Sequence, residues 1–275
     1  MMARINGINI YYEDIGEGPV LMFIHGLGEN AESWRYQIDV FSKSFRVIAM
    51  DLRGHHRSED GNEEISIPLF ATDIISLMNY LDIYNAHFIG LSMGGLICQE
   101  LTINNQDRML SMTLSDSAGY YPKPMSTVGL KKRLQRIDSM SMEELGELIA
   151  RTACKPNVDK DILQKATGIF GLNRYRPYRQ ATYATLKSDY RKYHKDIFIP
   201  TFISVGEKDP VTPIEFSQYL NENIVGSKMQ IIPDASHLSK MDNAPKYNLA
   251  LAEFLAPFEP ESSIKILDIL KQNKG

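Results

Sequence analysis

Apolar residues in this chain fall into short unbroken runs separated by longer periodic stretches. The runs at 20–24, 45–50, 87–90, 109–114, 200–205 and 228–232 each reach Gly, Asp or Pro within two residues of their ends. Runs of this kind mark strands buried on both faces of a parallel sheet. Between them the spacing turns helical. Phe70, Ile74, Leu77, Met78 and Leu81 form one apolar stripe, as a helix packed on a sheet requires. Residues 96–104 and 245–255 read as further helices. Thr212-Pro213-Ile214-Glu215 reads as a helix start, with Thr212 capping, Pro213 in the first turn and Glu215 reaching back. The alternation predicts an α/β fold on a doubly wound, mostly parallel sheet, with the working residues at the carboxyl ends of its strands.

The rhythm breaks between 120 and 195. Roughly 75 residues of helical character stand there, where a simple strand–helix–strand unit takes about 30. Ser141-Met142-Glu143-Glu144 is a capping box inside this stretch. The expected organisation is a core domain of 1–119 and 196–275, with 120–195 inserted as a helical cap over the active edge of the sheet. After Pro257 and Pro260, residues 264–270 form a short amphipathic helix. It can pack on its own domain or dock on a second copy, which leaves a homodimer open.

Composition narrows the class. With 275 residues and 43% hydrophobic content, the chain can bury roughly 75% of its unfolded surface. A net charge of −4 gives no basic excess for nucleic acid or an anionic membrane. The apolar run nearest the N-terminus, 20–24, is too short for a signal segment or a membrane span. Two cysteines, Cys98 and Cys154, with no CxxC, fit a reducing compartment, so a cytoplasmic protein is expected.

Gly90-Leu91-Ser92-Met93-Gly94 has the G-x-S-x-G pattern. It lies between a strand-like run and a helical one, where a sharp strand-to-helix turn would thrust the Ser92 hydroxyl outward. A serine hydroxyl is a weak nucleophile at neutral pH and requires a base that is itself held by an acid. For this pattern the chain order is Ser, acid, His, each after a later strand. Asp209 follows the run 200–205 and His237 follows 228–232, and these are the candidate acid and base. Asp116, at the end of 109–114, is a rival acid. His25-Gly26-Leu27-Gly28 follows the first buried run, and the Leu27 and Met93 backbone N–H groups are the candidate donors to an oxyanion. His25 is expected to brace that loop. Trp34 and Leu238 are candidate pocket residues.

With these segments assembled, the chain resembles the α/β-hydrolase fold superfamily over about residues 4 to 258. The resemblance rests on 23–28, 51–55, 87–95, 206–210 and 235–239. Within it, Gly90-Leu91-Ser92-Met93-Gly94-Gly95-Leu96 and Ala235-Ser236-His237-Leu238-Ser239 look most like the 3-oxoadipate enol-lactonase and small carboxylesterase branch. The resemblance implies Ser92 as nucleophile, Asp209 as acid, His237 as base and Leu27 and Met93 as oxyanion donors. It also implies no metal and no organic cofactor. The chain departs from the pattern in two places. His25-Gly26 stands where enol-lactonases often carry Asn-Ser, and His56 stands where a second Gly is usual, which suggests a rearranged turn.

The expected activity is hydrolysis of a small ester or lactone through an acyl-enzyme on Ser92. C–C bond hydrolysis, acyl transfer or perhydrolysis would use the same triad, and a small-molecule receptor could use the same fold. Between Arg174 and Lys195 seven Lys or Arg residues stand against one Asp, interleaved with five tyrosines. This stretch is either a solvated helix face or an attractor for a carboxylate-bearing substrate.

Overall fold

The computed structural model describes residues 1–272. Eight strands form one sheet: β1 (Met2–Ile5), β2 (Ile8–Ile15), β3 (Val20–Ile24), β4 (Arg46–Met50), β5 (Ala86–Leu91), β6 (Met109–Ser115), β7 (Thr201–Gly206) and β8 (Lys228–Ile232). Their spatial order is β1-β2-β4-β3-β5-β6-β7-β8. β1 and β2 pair antiparallel, as do β2 and β4, and every pairing from β4 to β8 is parallel. The chain leaves β3 for β4 on one side and returns to β5 on the other. The carboxyl ends of β3 and β5 therefore flank a topological switch point, where open α/β sheets hold their ligands.

Strand alternation builds two cores. Met22 and Ile24 of β3 face one side, with Phe88, Phe70, Ile74 and Leu77. Leu21 and Phe23 face the other, with Ile89, Trp34, Phe41 and Leu251. The first side is covered by α2 (Ile67–Tyr80) and α3 (Met93–Asn104); α1 (Arg35–Phe41) lies on the second. Between β6 and β7 stand α4 (Leu130–Ser139), α5 (Met142–Ala153), α6 (Lys160–Gly171) and α7 (Tyr175–Lys187). The Ser141–Glu144 capping box at the start of α5 is formed in both directions. After β7 come α8 (Ile214–Asn223), the single turn α9 (Ser239–Asp242), α10 (Ala244–Leu255) and α11 (Pro260–Gln272).

Four sequence expectations are corrected. The hairpin β1–β2 lies outside the runs read as strands, because its residues alternate apolar and polar around an Asn6-Gly7 turn with φ of 45° and 80°. β8 is an edge strand with Lys228, Gln230 and Ile231 exposed, so only one of its sides is covered by a neighbour. Thr212 does not cap α8, which begins after Pro213 with no side-chain cap; its hydroxyl is used elsewhere. His56 itself takes the left-handed backbone, at φ 40°, so the turn is held at the cost of strain at that residue. The 264–270 tail lies within α11, with Ile266 and Leu270 buried against the molecule's own core and Ile264 facing out.

Candidate active site

β5 runs directly into α3 with Ser92 as the only residue between them. Ser92 has φ 53° and ψ −112°, a conformation rarely taken by a residue with a side chain. Two glycines make the turn possible. A Cβ on Gly90 would fall 2.3 Å from the Gly94 carbonyl oxygen, and one on Gly94 would fall 2.2 Å from that of Ile24. The Ser92 N–H is held by the Ser115 carbonyl at 2.9 Å, and the Ser117 hydroxyl donates to the Ser92 carbonyl at 2.8 Å.

The structure brings Ser92, His237 and Asp209 together from three strand ends. His237 Nε2 lies 3.0 Å from Ser92 Oγ, and His237 Nδ1 lies 2.9 Å from Asp209 Oδ2. Asp209 is held in place by the Val211 N–H at 2.8 Å, the Thr212 N–H at 3.0 Å and the Thr212 hydroxyl at 2.8 Å. Burial alone would raise the Asp209 carboxyl, but the His237 imidazole and the Thr212 donors outweigh it and hold the group below its ordinary range. Burial likewise pushes His237 down, and the Asp209 carboxylate more than reverses it, so the imidazole sits above its ordinary value.

Asp116 is at the end of β6 but does not bond His237. Its Oδ1 accepts the Gly206 N–H at 2.7 Å and its Oδ2 lies 2.5 Å from Ser239 Oγ. Burial first, and then the charge of Asp209, raise its carboxyl well above the usual range. The acid facing the imidazole is therefore Asp209, with Asp116 buried behind it.

The turn after β3 is tightly held. His25 bonds the Gly26 carbonyl through Nδ1 at 2.8 Å and accepts the Leu52 N–H at Nε2 at 2.9 Å, which fixes the Nδ1–H tautomer. Burial pushes its pKa to about 4, so it braces the loop as a neutral ring. Leu27 lines the same cavity as Ser92 and His237. Among the described residues the N–H groups of Leu27 and Met93 have no protein acceptor, and both remain available to a ligand.

The cavity measures about 340 Å³ and opens between the strand ends and α4–α7. Leu238 lines it. Trp34 does not, contrary to expectation: it is fully buried and stacks on Phe23 with ring centroids 4.8 Å apart, because the chain turns inward before reaching it. The basic side chains of the 174–195 stretch also lie elsewhere. Arg176, Arg179 and Arg191 pair with Asp60, Asp138 and Asp189, and Arg174 donates to the Ser58 carbonyl. The cations on the cavity wall are instead Lys132, Arg133 and Arg136 of α4. Sequence reasoning missed these, along with Glu29, Lys240 and Thr212. Lys132, Arg133 and Arg136 carry a readable signal, the charged face of an amphipathic helix, but nothing in it says that the face looks inward.

Comparison with known proteins bears on the family and the fold. A family model described as the alpha/beta hydrolase fold matches residues 19–139. The chain is 30% identical over 235 residues to 3-oxoadipate enol-lactonase 1 of Acinetobacter baylyi, a match spanning 83% of this chain and 85% of that protein. The solved enol-lactonase from Burkholderia xenovorans LB400 superposes with a TM-score of 0.85 at 25% identity, covering 93% of this chain and 100% of that one. A thermophilic esterase from Thermogutta terrifontis shares the fold, with a TM-score of 0.86 at 22% identity over 94% of this chain and 98% of its own. In sequence and in fold, this chain belongs to the α/β-hydrolase family.

Proposed function

We propose that this protein is a serine hydrolase of small carboxylic esters or lactones. The observation that carries this reading is the unbroken hydrogen-bonded chain Asp209–His237–Ser92, which opens on a cavity lined by Leu27. His237 Nε2 takes the Ser92 proton as Oγ attacks the carbonyl carbon. The Leu27 and Met93 N–H groups receive the negative oxygen of the tetrahedral intermediate. The imidazolium then protonates the departing alkoxide, leaving an acyl-enzyme on Ser92. Water, deprotonated by His237, displaces the acyl group and restores the hydroxyl. In a lactone the alkoxide remains part of the same molecule.

Residues 120–195 act in this reading as a cap that shapes the pocket. Arg133 of α4, Leu145 of α5, Phe170 of α6 and Leu186 of α7 all contribute to the cavity wall. Arg133 is partly buried, with Nη2 3.4 Å from the Tyr178 hydroxyl. Among the described residues no carboxylate pairs with it. A guanidinium without a carboxylate partner, between Lys132 and Arg136 on the same wall, suits a substrate bearing its own carboxylate, which it can grip in two places. The enol-lactonase relatives support the lactone side of the reading.

A matched ester pair tests both parts. Turnover of mono-para-nitrophenyl glutarate and of para-nitrophenyl pentanoate is measured for the wild type, Ser92→Ala and Arg133→Met. Ser92→Ala should lose about a thousandfold or more on both esters. Arg133→Met should reduce the preference for the anionic ester by about tenfold or more, whereas Arg179→Met, paired outside with Asp138, should leave that preference alone. Undiminished turnover by Ser92→Ala would overturn the hydrolase reading. An undiminished preference in Arg133→Met would overturn only the assignment of the substrate's charge.

A further inference from the structure

Beside the cavity lies a buried ion pair that takes no part in the proton relay. Lys240 and Glu29 are both almost wholly removed from solvent. Lys240 Nζ donates to Glu29 Oε1 at 2.9 Å and to the Ser33 carbonyl at 2.8 Å, and it lies 4.6 Å from the centre of the Trp34 ring. The other carboxylate oxygen, Glu29 Oε2, accepts the Gly26 N–H at 2.8 Å. The Glu29 N–H returns to the Gly26 carbonyl at 3.1 Å. Residues 26–29 thus close a four-residue turn whose third position, Gly28, has φ 81°, as a type II turn requires. Leu27 holds the second position.

Gly26 and Leu27 carry adjacent amides at the mouth of the site. Glu29 occupies the first and leaves the second free. A carboxylate in that place has a drawback, since its charge would oppose the oxyanion forming nearby. Lys240 supplies the opposite charge from three residues beyond His237. Its own carbonyl is held by Gln37 Nε2 at 2.9 Å. Buried ion pairs contribute little to stability by default, so one that bridges two loops of a reaction site calls for another role.

We infer that Glu29 and Lys240 are a positioning pair for the hydrolysis. Glu29 fixes the turn so that the Leu27 N–H faces the substrate oxygen, and Lys240 cancels the charge that this fixing introduces. The inference rests on Ser92 being the nucleophile. The other titratable groups facing the pair are His25, Asp116, Cys154, Tyr247 and His237. Burial holds His25 down at about 4, raises Cys154 to about 12, and raises Asp116 and Tyr247 as well. His25, Cys154 and Tyr247 are therefore uncharged near neutral pH, and Lys240 is the cation bonded to Glu29.

The test follows kcat and KM for para-nitrophenyl pentanoate between about pH 6 and pH 10, per site titratable with a fluorophosphonate. Lys240→Met should lower kcat by about tenfold or more with KM within about twofold, because an oxyanion donor acts in the transition state. Adding Glu29→Gln removes the charge and keeps an acceptor for Gly26, and should restore kcat. A wild-type kcat in Lys240→Met, or a double variant no better than the single one, would overturn the inference. Should Lys240→Met fail to fold, Glu29→Ala should lose about fivefold more kcat than Glu29→Gln; equal losses would overturn the inference. Failure of the underlying reading looks different, as a wild type whose turnover does not depend on Ser92.

Discussion

Ser92 occupies a backbone conformation that costs a non-glycine residue about 1–3 kcal/mol. What holds it there is local and specific: two glycines with no room for a Cβ, and bonds from Ser115 and Ser117 to its peptide groups. The electrostatics of the three side chains are equally specific. Asp209 keeps its charge because four donors converge on it, and that charge lifts His237 above its ordinary value. As the proposed base, His237 works only when neutral, so kcat/KM should fall as pH drops through a histidine pKa lying above its ordinary value. Asp209→Asn removes the charge and leaves burial, which favours the neutral ring, so the acidic limb should move to lower pH. The same variant should lose about 10⁴-fold in kcat through the wrong tautomer. The pH–rate profile of the residual activity checks the direction, and an acidic limb that stays in place would contradict it. Ser92, Asp209 and His237 were legible in the sequence because each follows a strand whose apolar run is unmistakable. The sequence put Asp209 first and left Asp116 as a rival, since both follow strands; in the structure Asp209 is the one that bonds His237.

Elements were legible in proportion to how strongly burial patterns them. β3 to β7 lie between other strands and read as apolar runs, while the β1–β2 hairpin and the edge strand β8 meet solvent and carry weaker patterns. The capping box at Ser141 was readable because it is a purely local bargain between two residues three apart in the chain. Thr212 looked like a cap for the same reason, but the buried Asp209 carboxylate is the stronger acceptor for its hydroxyl. α11 shows where a local pattern leaves its partner open: its amphipathicity was plain, and the surface it covers was not. Ile266 is fully buried against the core that α1 and α10 share. Ile266→Ala should therefore cost about 2–5 kcal/mol in chemical denaturation, with the elution volume on size exclusion unchanged. A shift to a smaller species with stability intact would instead give this helix to an interface between copies.

At the scale of the whole molecule, the site is an assembly of distant chain segments at one switch point of the sheet. The turn at 25–29, the Ser92 elbow, the Asp209 loop and the His237 loop come from the ends of β3, β5, β7 and β8. Charge is distributed with the same disregard for sequence. Within the basic stretch at 174–195, Arg176, Arg179 and Arg191 pair with Asp60, Asp138 and Asp189, while the cavity takes its cations from α4. No spacing rule reaches such pairings, which explains why the Ser92 turn could be read from the chain and the lining of the cavity could not. Among the described residues no helix is long and apolar enough to cross a membrane. The central claim is that this assembly activates Ser92. Intact-protein mass after exposure to a fluorophosphonate tests it most directly, with Ser92→Ala as the control. The expected result is a single adduct on the wild type and none on the variant. A folded wild type that stays unlabelled, or a variant labelled equally well, would contradict the claim.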